Sequence, residues 1–497
     1  MRSRLPCAPL AGFGVPPIPM SELALKARPD TLPSQDIVIF GGTGSLARLK
    51  LFPALYDLTA DGLMPPEGKV IGLARTPMSI EAYRELARQA VQLYSRNEYD
   101  EDTWKRLAQR LAFVALNEDG YARMKEELTQ AQRLVYLAIP PSAFGATVRA
   151  LGENHLIEGT RLLIEKPFGR DLQSAIDLDR ELREVFAESQ IFRIDHYLGK
   201  ETVQNILVFR FGNSVFERVW HRDAIDHIEI TVAESDGISG RGAFYEEVGA
   251  LRDVVQNHLL QILSILTMEP PASFDAGAIR DEKSKLLRAV RPLAPEDVIR
   301  GQYQRGHIDG HAVEGYLDEK DVPPESNVET YVAARVRIEN WRWAGVPIFL
   351  RTGKRLPYKA TEIEIAFKDV PRSYFGDTAS EGLRPNSLTL SIQPEETIDF
   401  SFVAKVPGPA INVKPVTMNF SYDGNFSAEP AEAYQRLIHD AMAGDATLFV
   451  RADSVERAWR IVQPALDRPS ELHAYEAGTW GPRAADRLVD GHGWHLV

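Results

Sequence analysis

Four groups able to hold or move a proton crowd into one short stretch. Asp195, His196, Tyr197 and Lys200 all fall within Ile191–Glu201. A carboxylate, an imidazole, a phenol and an ammonium this close are costly to bury without a ligand, so the stretch reads as a site. Lys166 lies in another cluster, Glu165-Lys166-Pro167-Phe168-Gly169, directly after the apolar run Arg161–Ile164. The C-terminal end of a parallel strand is where ligands meet such a sheet. Lys166-Pro167 is also a candidate cis peptide. His258 lies on a helix expected from Ala250 to Met268, and among Leu259, Leu260 and Ile262 it reads by its neighbours as a core histidine.

These groups need a frame. Asp36-Ile37-Val38-Ile39-Phe40 is a buried parallel strand by pattern, and it runs into Gly41-Gly42-Thr43-Gly44-Ser45-Leu46-Ala47. An amphipathic helix through Leu51, Leu55 and Leu58 follows. Strand, glycine turn and helix is the context for a pyrophosphate: glycines admit it and the helix N-terminus supplies free N–H groups. The Gly-x-x-Gly-x-x-Ala spacing is weak on its own. The next strand, Lys69–Ala74, ends at Arg75, where NAD enzymes often place an acid for the ribose hydroxyls. Arg75 suits a 2′-phosphate instead, which points to NADP. Helices over Ile80–Leu93 and Asp102–Leu111 and strands over Ala112–Leu116 and Arg133–Ile139 extend the alternation, which predicts a doubly wound Rossmann-type sheet.

The chain has 497 residues, 44% hydrophobic and 26% charged, which excludes a disordered or disulfide-stapled class. Seventy acidic against 57 basic residues give a net charge of −13, so no nucleic acid and no anionic membrane is expected as a partner. No apolar run approaches the roughly 20 residues of a membrane span. The single cysteine, Cys7, excludes an internal disulfide and suits a reducing cytoplasm. Residues 1–35, dense in proline, read as a disordered tail. Residues 36–200 are expected to form the dinucleotide-binding domain and 201–497 a larger α+β domain. From Thr202 the pattern favours half-buried, mostly antiparallel strands, for example Ile228, Ile230 and Val232, or Ile398, Phe400 and Phe402. The His258 helix and Ala431–Met442 are expected to cover one face. His307, His311, His492 and His495 have no acidic or cysteine partner at ligand spacing, so no metal is expected.

The segments Arg193–Glu201, Glu165–Gly169, Arg252–Gln261 and Arg351-Thr352-Gly353-Lys354-Arg355-Leu356 together resemble the glucose-6-phosphate dehydrogenase family, over roughly residues 36 to 485. The resemblance implies oxidation of β-D-glucose 6-phosphate at C1 to 6-phospho-D-glucono-1,5-lactone, with hydride transfer to NADP, the opening step of the oxidative pentose phosphate pathway. That chemistry needs a base near neutrality, and histidine with a carboxylate partner is the natural choice. By resemblance the base is His258 and its partner Asp195. His196, Tyr197, Lys200, Lys354 and Lys359 are assigned to the sugar phosphate, with Lys359 resting on its spacing from Lys354. Glu234 and Asp253 are assigned to the sugar hydroxyls, and Lys166 to substrate and cofactor. Gly41, Gly42, Thr43, Gly44, Ser45, Leu46 and Arg75 would hold the cofactor. Ser45 departs from the family, which usually carries aspartate there. A homodimer or tetramer is implied. Two alternatives stay open: a related hexose-phosphate dehydrogenase with another sugar or NAD preference, and a silent NADP-binding regulator on the same fold. The intact Asp195, His258, Lys200 and Lys354 weigh against silence.

Overall fold

Short apolar runs with no polar face form a sheet that must be covered on both sides. In the computed structural model, which describes residues 32–372, 385–422, 432–489 and 491–495, six such strands make the first sheet. They are β1 (Asp36–Phe40), β2 (Val70–Ala74), β3 (Leu111–Ala115), β4 (Arg133–Leu137), β5 (Thr160–Ile164) and β6 (Ile191–Arg193). All pairs are parallel, in the order β3-β2-β1-β4-β5-β6. The order reverses between β1 and β4, and the crevice above that switch point is where open α/β sheets bind ligands. The glycine turn follows β1, Lys166 follows β5 and Asp195 follows β6, so one sheet end carries all three.

The proline-rich stretch expected as a tail lies, as far as residue 31, outside the described residues. Two of its last residues are docked: Leu32 and Gln35 are buried, and Gln35 Nε2 donates to the Met442 carbonyl at 3.0 Å.

The second half departs from expectation at its start. Helices Glu201–Gly212 and Ser214–Glu217 come first, not strands. Nine strands then build a second sheet: β7 (Ile225–Ala233), β8 (Val298–Gln304), β11 (Tyr331–Val336), β12 (Ile348–Gly353), β13 (Ala360–Phe367), β14 (Ser387–Gln393), β15 (Thr397–Lys405), β16 (Val413–Ser421) and β17 (Leu472–Glu476). The small hairpin β9 (Gly306–Ile308) and β10 (His311–Val313) stands apart. The order is β16-β15-β14-β13-β7-β12-β11-β8-β17, antiparallel except for β12 on β7 and β17 on β8. The edge strand β17 was not anticipated. Central strands are buried on both faces rather than one, as in β13 and β12.

The helix carrying His258 lies against β7, β11 and β12, as expected. It is not a plain α-helix. Leu251–Leu259 is π-helical and passes into the α-helix Leu260–Thr267. It is entered through Gly249 at φ 65°, where a Cβ would lie 2.6 Å from Glu329 Oε1, so only glycine serves. The helix Ala433–Ala443 corrects a second expectation. It packs on the helix Phe52–Ala60 and on the turn His196–Gly199, and so roofs the cleft between the two sheets. Its apolar stripe resembles that of a sheet-covering helix, and the stripe alone does not name its partner.

Candidate active site

Each candidate group is set by its own element. Arg193, 2% exposed at the end of β6, is pinned by Asp179 and Glu188, both at 2.7 Å. That fixes the turn in which Asp195 accepts the Tyr197 N–H at 3.0 Å. The same carboxylate oxygen meets His258 Nδ1 at 2.5 Å, with both residues buried. Asp253 and His258 are five residues apart, which on an α-helix places them about 140° from each other. The i→i+5 bonding of the π segment brings such pairs onto one face, and π segments recur at functional sites. Lys166 Nζ confirms the shared face. It donates to Asp253 Oδ1 at 3.1 Å and to the Asp253 carbonyl at 3.0 Å, and lies 2.9 Å from His258 Nε2. Lys166-Pro167 is cis, as the sequence suggested, and Trp459 Nε1 anchors the loop through the Phe168 carbonyl at 2.8 Å.

These groups open onto a cavity of about 510 Å³ shared by Lys166, His196, Tyr197, Lys200, Glu234, Asp253, His258 and Lys359. Lys354 reaches the same place from β12 and pairs with Glu234. Lys200 donates to Gln393 and sits 4.5 Å over the Tyr197 ring. Tyr197 Oη lies 3.4 Å from Thr361 Oγ1. Lys50, Asp236, Gln393, Glu432 and Tyr434 also border the cavity and were missed from sequence. Lys50 follows the glycine turn on the same helical run, which was a usable signal. Glu432 and Tyr434 belong to the roofing helix and gave none.

Burial pushes the His258 imidazole below its ordinary value; Asp195 pulls it up and Lys166 pushes it further down. Burial would raise Asp195, but its interactions with His258, His196 and Lys166 hold it at about 2. The pair therefore rests as carboxylate and neutral imidazole. The hydrogen bonds assign the ring proton to Nδ1, leaving the Nε2 lone pair toward Lys166. Asp253 is likewise held at about 2, against its burial, by Lys166 and Lys354. His196 is driven well below the ordinary range by burial and by His258. It offers the cavity a neutral donor, and fixed positive charge falls to the lysines. Burial and Lys359 bring Lys200 down to about 8.

The glycine turn follows β1 at the same end of the sheet as Lys166 and Asp195. Gly41 has φ +83°, and a Cβ there would fall 2.2 Å from the Ala138 carbonyl oxygen. At Gly42 it would fall 2.9 Å from Gly72 Cα. The turn therefore stays bare, with Thr43, Ser45 and Leu46 at the start of a helix whose first N–H groups have no intrahelical acceptor. Arg75 is exposed at the end of β2.

Two family descriptions match nearly the whole chain: the NAD binding domain of glucose-6-phosphate dehydrogenase over residues 38–205, and its C-terminal domain over residues 207–495. A glucose-6-phosphate 1-dehydrogenase of Aggregatibacter actinomycetemcomitans is 46% identical over 91% of this chain and 95% of its own. The chain belongs to the glucose-6-phosphate dehydrogenase family. Two solved structures agree. The Mycobacterium avium glucose-6-phosphate 1-dehydrogenase superposes with a TM-score of 0.85 at 41% identity, covering 94% of this chain and 99% of that one. A glucose-6-phosphate dehydrogenase in complex with glucose 6-phosphate gives 0.86 at 36%, with the same coverage.

Of the site residues singled out from sequence, Lys166, His196, Tyr197, Lys200, Glu234, Asp253, His258 and Lys359 line one cavity, Asp195 and Lys354 are bonded to its lining, and the glycine turn and Arg75 are not among the lining residues. The remaining histidines behave otherwise. His492 and His495 do have acidic neighbours in space, from strands distant in sequence. His492 Nδ1 is 4.0 Å from Asp226, and His495 lies 3.9 Å from Glu362 and 3.8 Å from Glu364. Spacing along the chain cannot reveal such pairs.

Proposed function

We propose that the protein oxidises β-D-glucose 6-phosphate at C1 with NADP+, giving 6-phospho-D-glucono-1,5-lactone. The observation that carries this reading is the buried Asp195–His258 pair, whose imidazole borders a cavity also lined by Lys166, Lys200 and Lys359, with Lys354 paired to the lining residue Glu234. His258 Nε2 takes the proton of the C1 hydroxyl, and Asp195 holds the ring in the required tautomer and stabilises the imidazolium. Lys166 keeps the lone pair aimed at the cavity until the hydroxyl replaces it. Asp253 and Glu234, already ionised or lysine-bound, accept from the sugar hydroxyls. A phosphate of about −1.5 to −2 charge needs cations at the far end, and Lys200 and Lys359 stand there, with His196 and Tyr197 as neutral donors.

The bare glycine turn fits a pyrophosphate, and exposed Arg75 fits a 2′-phosphate. Gly41, Gly42, Thr43, Gly44, Ser45, Leu46, Arg75 and Lys166 would hold NADP. When bound, it supplies the acceptor for the hydride leaving C1. Following reduced-nicotinamide absorbance with glucose 6-phosphate, free glucose, NADP+ and NAD+ tests the reading in one experiment. No turnover with glucose 6-phosphate under either cofactor would overturn it.

We further propose that residues 36–200 and 201–497 act as cofactor and substrate domains, in a cytoplasmic homo-oligomer. Support for self-association comes from β15 and β16, where Phe400 and Met418 face the same way and Met418 is 59% exposed. Light scattering on the purified chain and on Met418→Glu should show the multimer in the first and a smaller species in the second. A monomeric wild type would refute it.

A further inference from the structure

We propose that Asp226, His227 and His492 form a binding site for a divalent transition metal of the zinc class, which staples the C-terminal segment to the nine-stranded sheet. Consecutive residues of a strand point to opposite faces. Asp226 and His227 are consecutive on β7, yet their side chains meet. The reason is a slip of register: His227 pairs with Ala366 and Ile225 with Phe367, so Asp226 is an extra residue. Such a bulge re-aims a side chain. Asp226 Oδ2 lies 2.8 Å from His227 Nδ1. His492 returns from the far end of the chain with Nδ1 4.0 Å from the same oxygen and its ring centroid 4.8 Å from that of His227.

One donor atom from each of the three residues lies within 4.8 Å of the others. Zinc bonds of about 2.0–2.1 Å in a tetrahedral site set ligand atoms about 3.3 Å apart, so rotations of Asp226 and His492 close the set. Both have that freedom, with side chains 41% and 45% exposed. His227 does not, and it is oriented from behind. Its Nε2 stands 3.7 Å from Glu229 Oε1, a buried carboxylate in the place where metal-bound histidines keep an outer partner. Two imidazoles and one carboxylate favour zinc, nickel or copper over calcium or magnesium. The segment is already docked. Glu229 accepts the His495 N–H at 2.9 Å, and Arg351 donates to the His495 carbonyl at 3.0 Å. The metal would thus lock a contact that exists without it.

The test uses the full chain without a histidine tag, stripped with a chelator and titrated with Zn²⁺ against a competing dye. His492 is exposed near the terminus and its loss leaves the fold standing. Wild type should bind one Zn²⁺ that His492→Ala loses, with Asp226→Asn at least about tenfold weaker. A Zn²⁺-dependent rise in Tm should vanish in both variants, while metal-free turnover of glucose 6-phosphate stays at the wild-type rate. Co²⁺ should give tetrahedral d–d absorption in wild type only. Equal Zn²⁺ uptake by wild type and His492→Ala, including none by either, would overturn the proposal.

Discussion

In the proposed reaction His258 and Lys200 have opposite needs, and both are legible in pH. The base must be neutral to accept a proton, and burial lowers its pKa. Its protonation should then impose an acid limb on kcat/KM below about pH 6.5, the ordinary histidine value. Lys200 must be charged to meet the phosphate, and at about 8 it loses that charge as pH rises. kcat/KM for glucose 6-phosphate should fall through pH 8, and Lys200→Arg, whose guanidinium stays charged, should remove that alkaline limb. An unchanged limb would take it away from Lys200. Lys200→Met should raise KM for glucose 6-phosphate while leaving free glucose unaffected; equal losses on both would reassign the residue to architecture. His258→Asn should leave sugar-phosphate affinity within a few-fold and cut kcat by about 10²–10⁴. A loss under tenfold in single-turnover experiments would refute its role as base. Much of this was readable from sequence because Asp195, His196, Tyr197 and Lys200 are contiguous. Glu165 was not read. Its carboxyl accepts from Tyr136 Oη at 2.6 Å and is pushed up by burial to about 7. Tyr136 lies on β4 and a second partner, Tyr434, on the roofing helix, which no local pattern joins.

An element is legible to the extent that its cause is local. The turn after β1 is local: a buried strand, glycines that cannot carry a Cβ, and a helix start follow one another in sequence. Its ends were therefore placed to within a residue or two. The π geometry of Leu251–Leu259 was not, since an apolar stripe tolerates either winding over two turns, and only the shared Lys166 contact reveals that Asp253 and His258 align. The cofactor element gives two predictions. Arg75→Ala should weaken NADP+ by about 1–2 kcal/mol, the worth of a charged hydrogen bond reduced by solvent, and leave NAD+ unchanged. Equal weakening in fluorescence titrations would show that Arg75 does not select the 2′-phosphate. Ser45 faces the helix start where the family usually has aspartate. Serine keeps an oxygen near the free N–H groups and removes a charge near an anionic ligand. Ser45→Asp should change cofactor affinity by no more than about 1 kcal/mol. A shift of several kcal/mol would mean the turn is organised differently around its ligand.

At the scale of the whole molecule, what sequence hides is the meeting of distant parts. β17 joins β8 across most of the second half, the helix Ala433–Ala443 crosses to the first domain, and Lys283 is enclosed by elements that none of its neighbours names. Lys283, on the helix Ala276–Ala289, is 2% exposed, and its ammonium makes no hydrogen bond or ion pair among the described residues. Burial brings it down to about 8; Asp195 is the one carboxylate acting to raise it, and Arg280 lowers it further. A lysine whose pKa is lower in the fold than in the unfolded chain, at about 10.5, costs stability while it is charged. Below pH 8 both states hold the proton and the full cost is present. Between about 8 and 10.5 the unfolded chain binds more protons than the fold, so stability climbs with pH, and above that range the cost is gone. Methionine has a similar length and no charge to bury. Lys283→Met should therefore stabilise the protein at pH 7 by about 1–3 kcal/mol, and the advantage should shrink toward zero by about pH 10. Urea unfolding of both proteins at the two pH values measures the difference directly, with every other titrating group cancelling in the comparison. A gain of equal size at both pH values would assign the effect to packing, and a loss at pH 7 would mean that the buried ammonium has a partner strong enough to outweigh its desolvation.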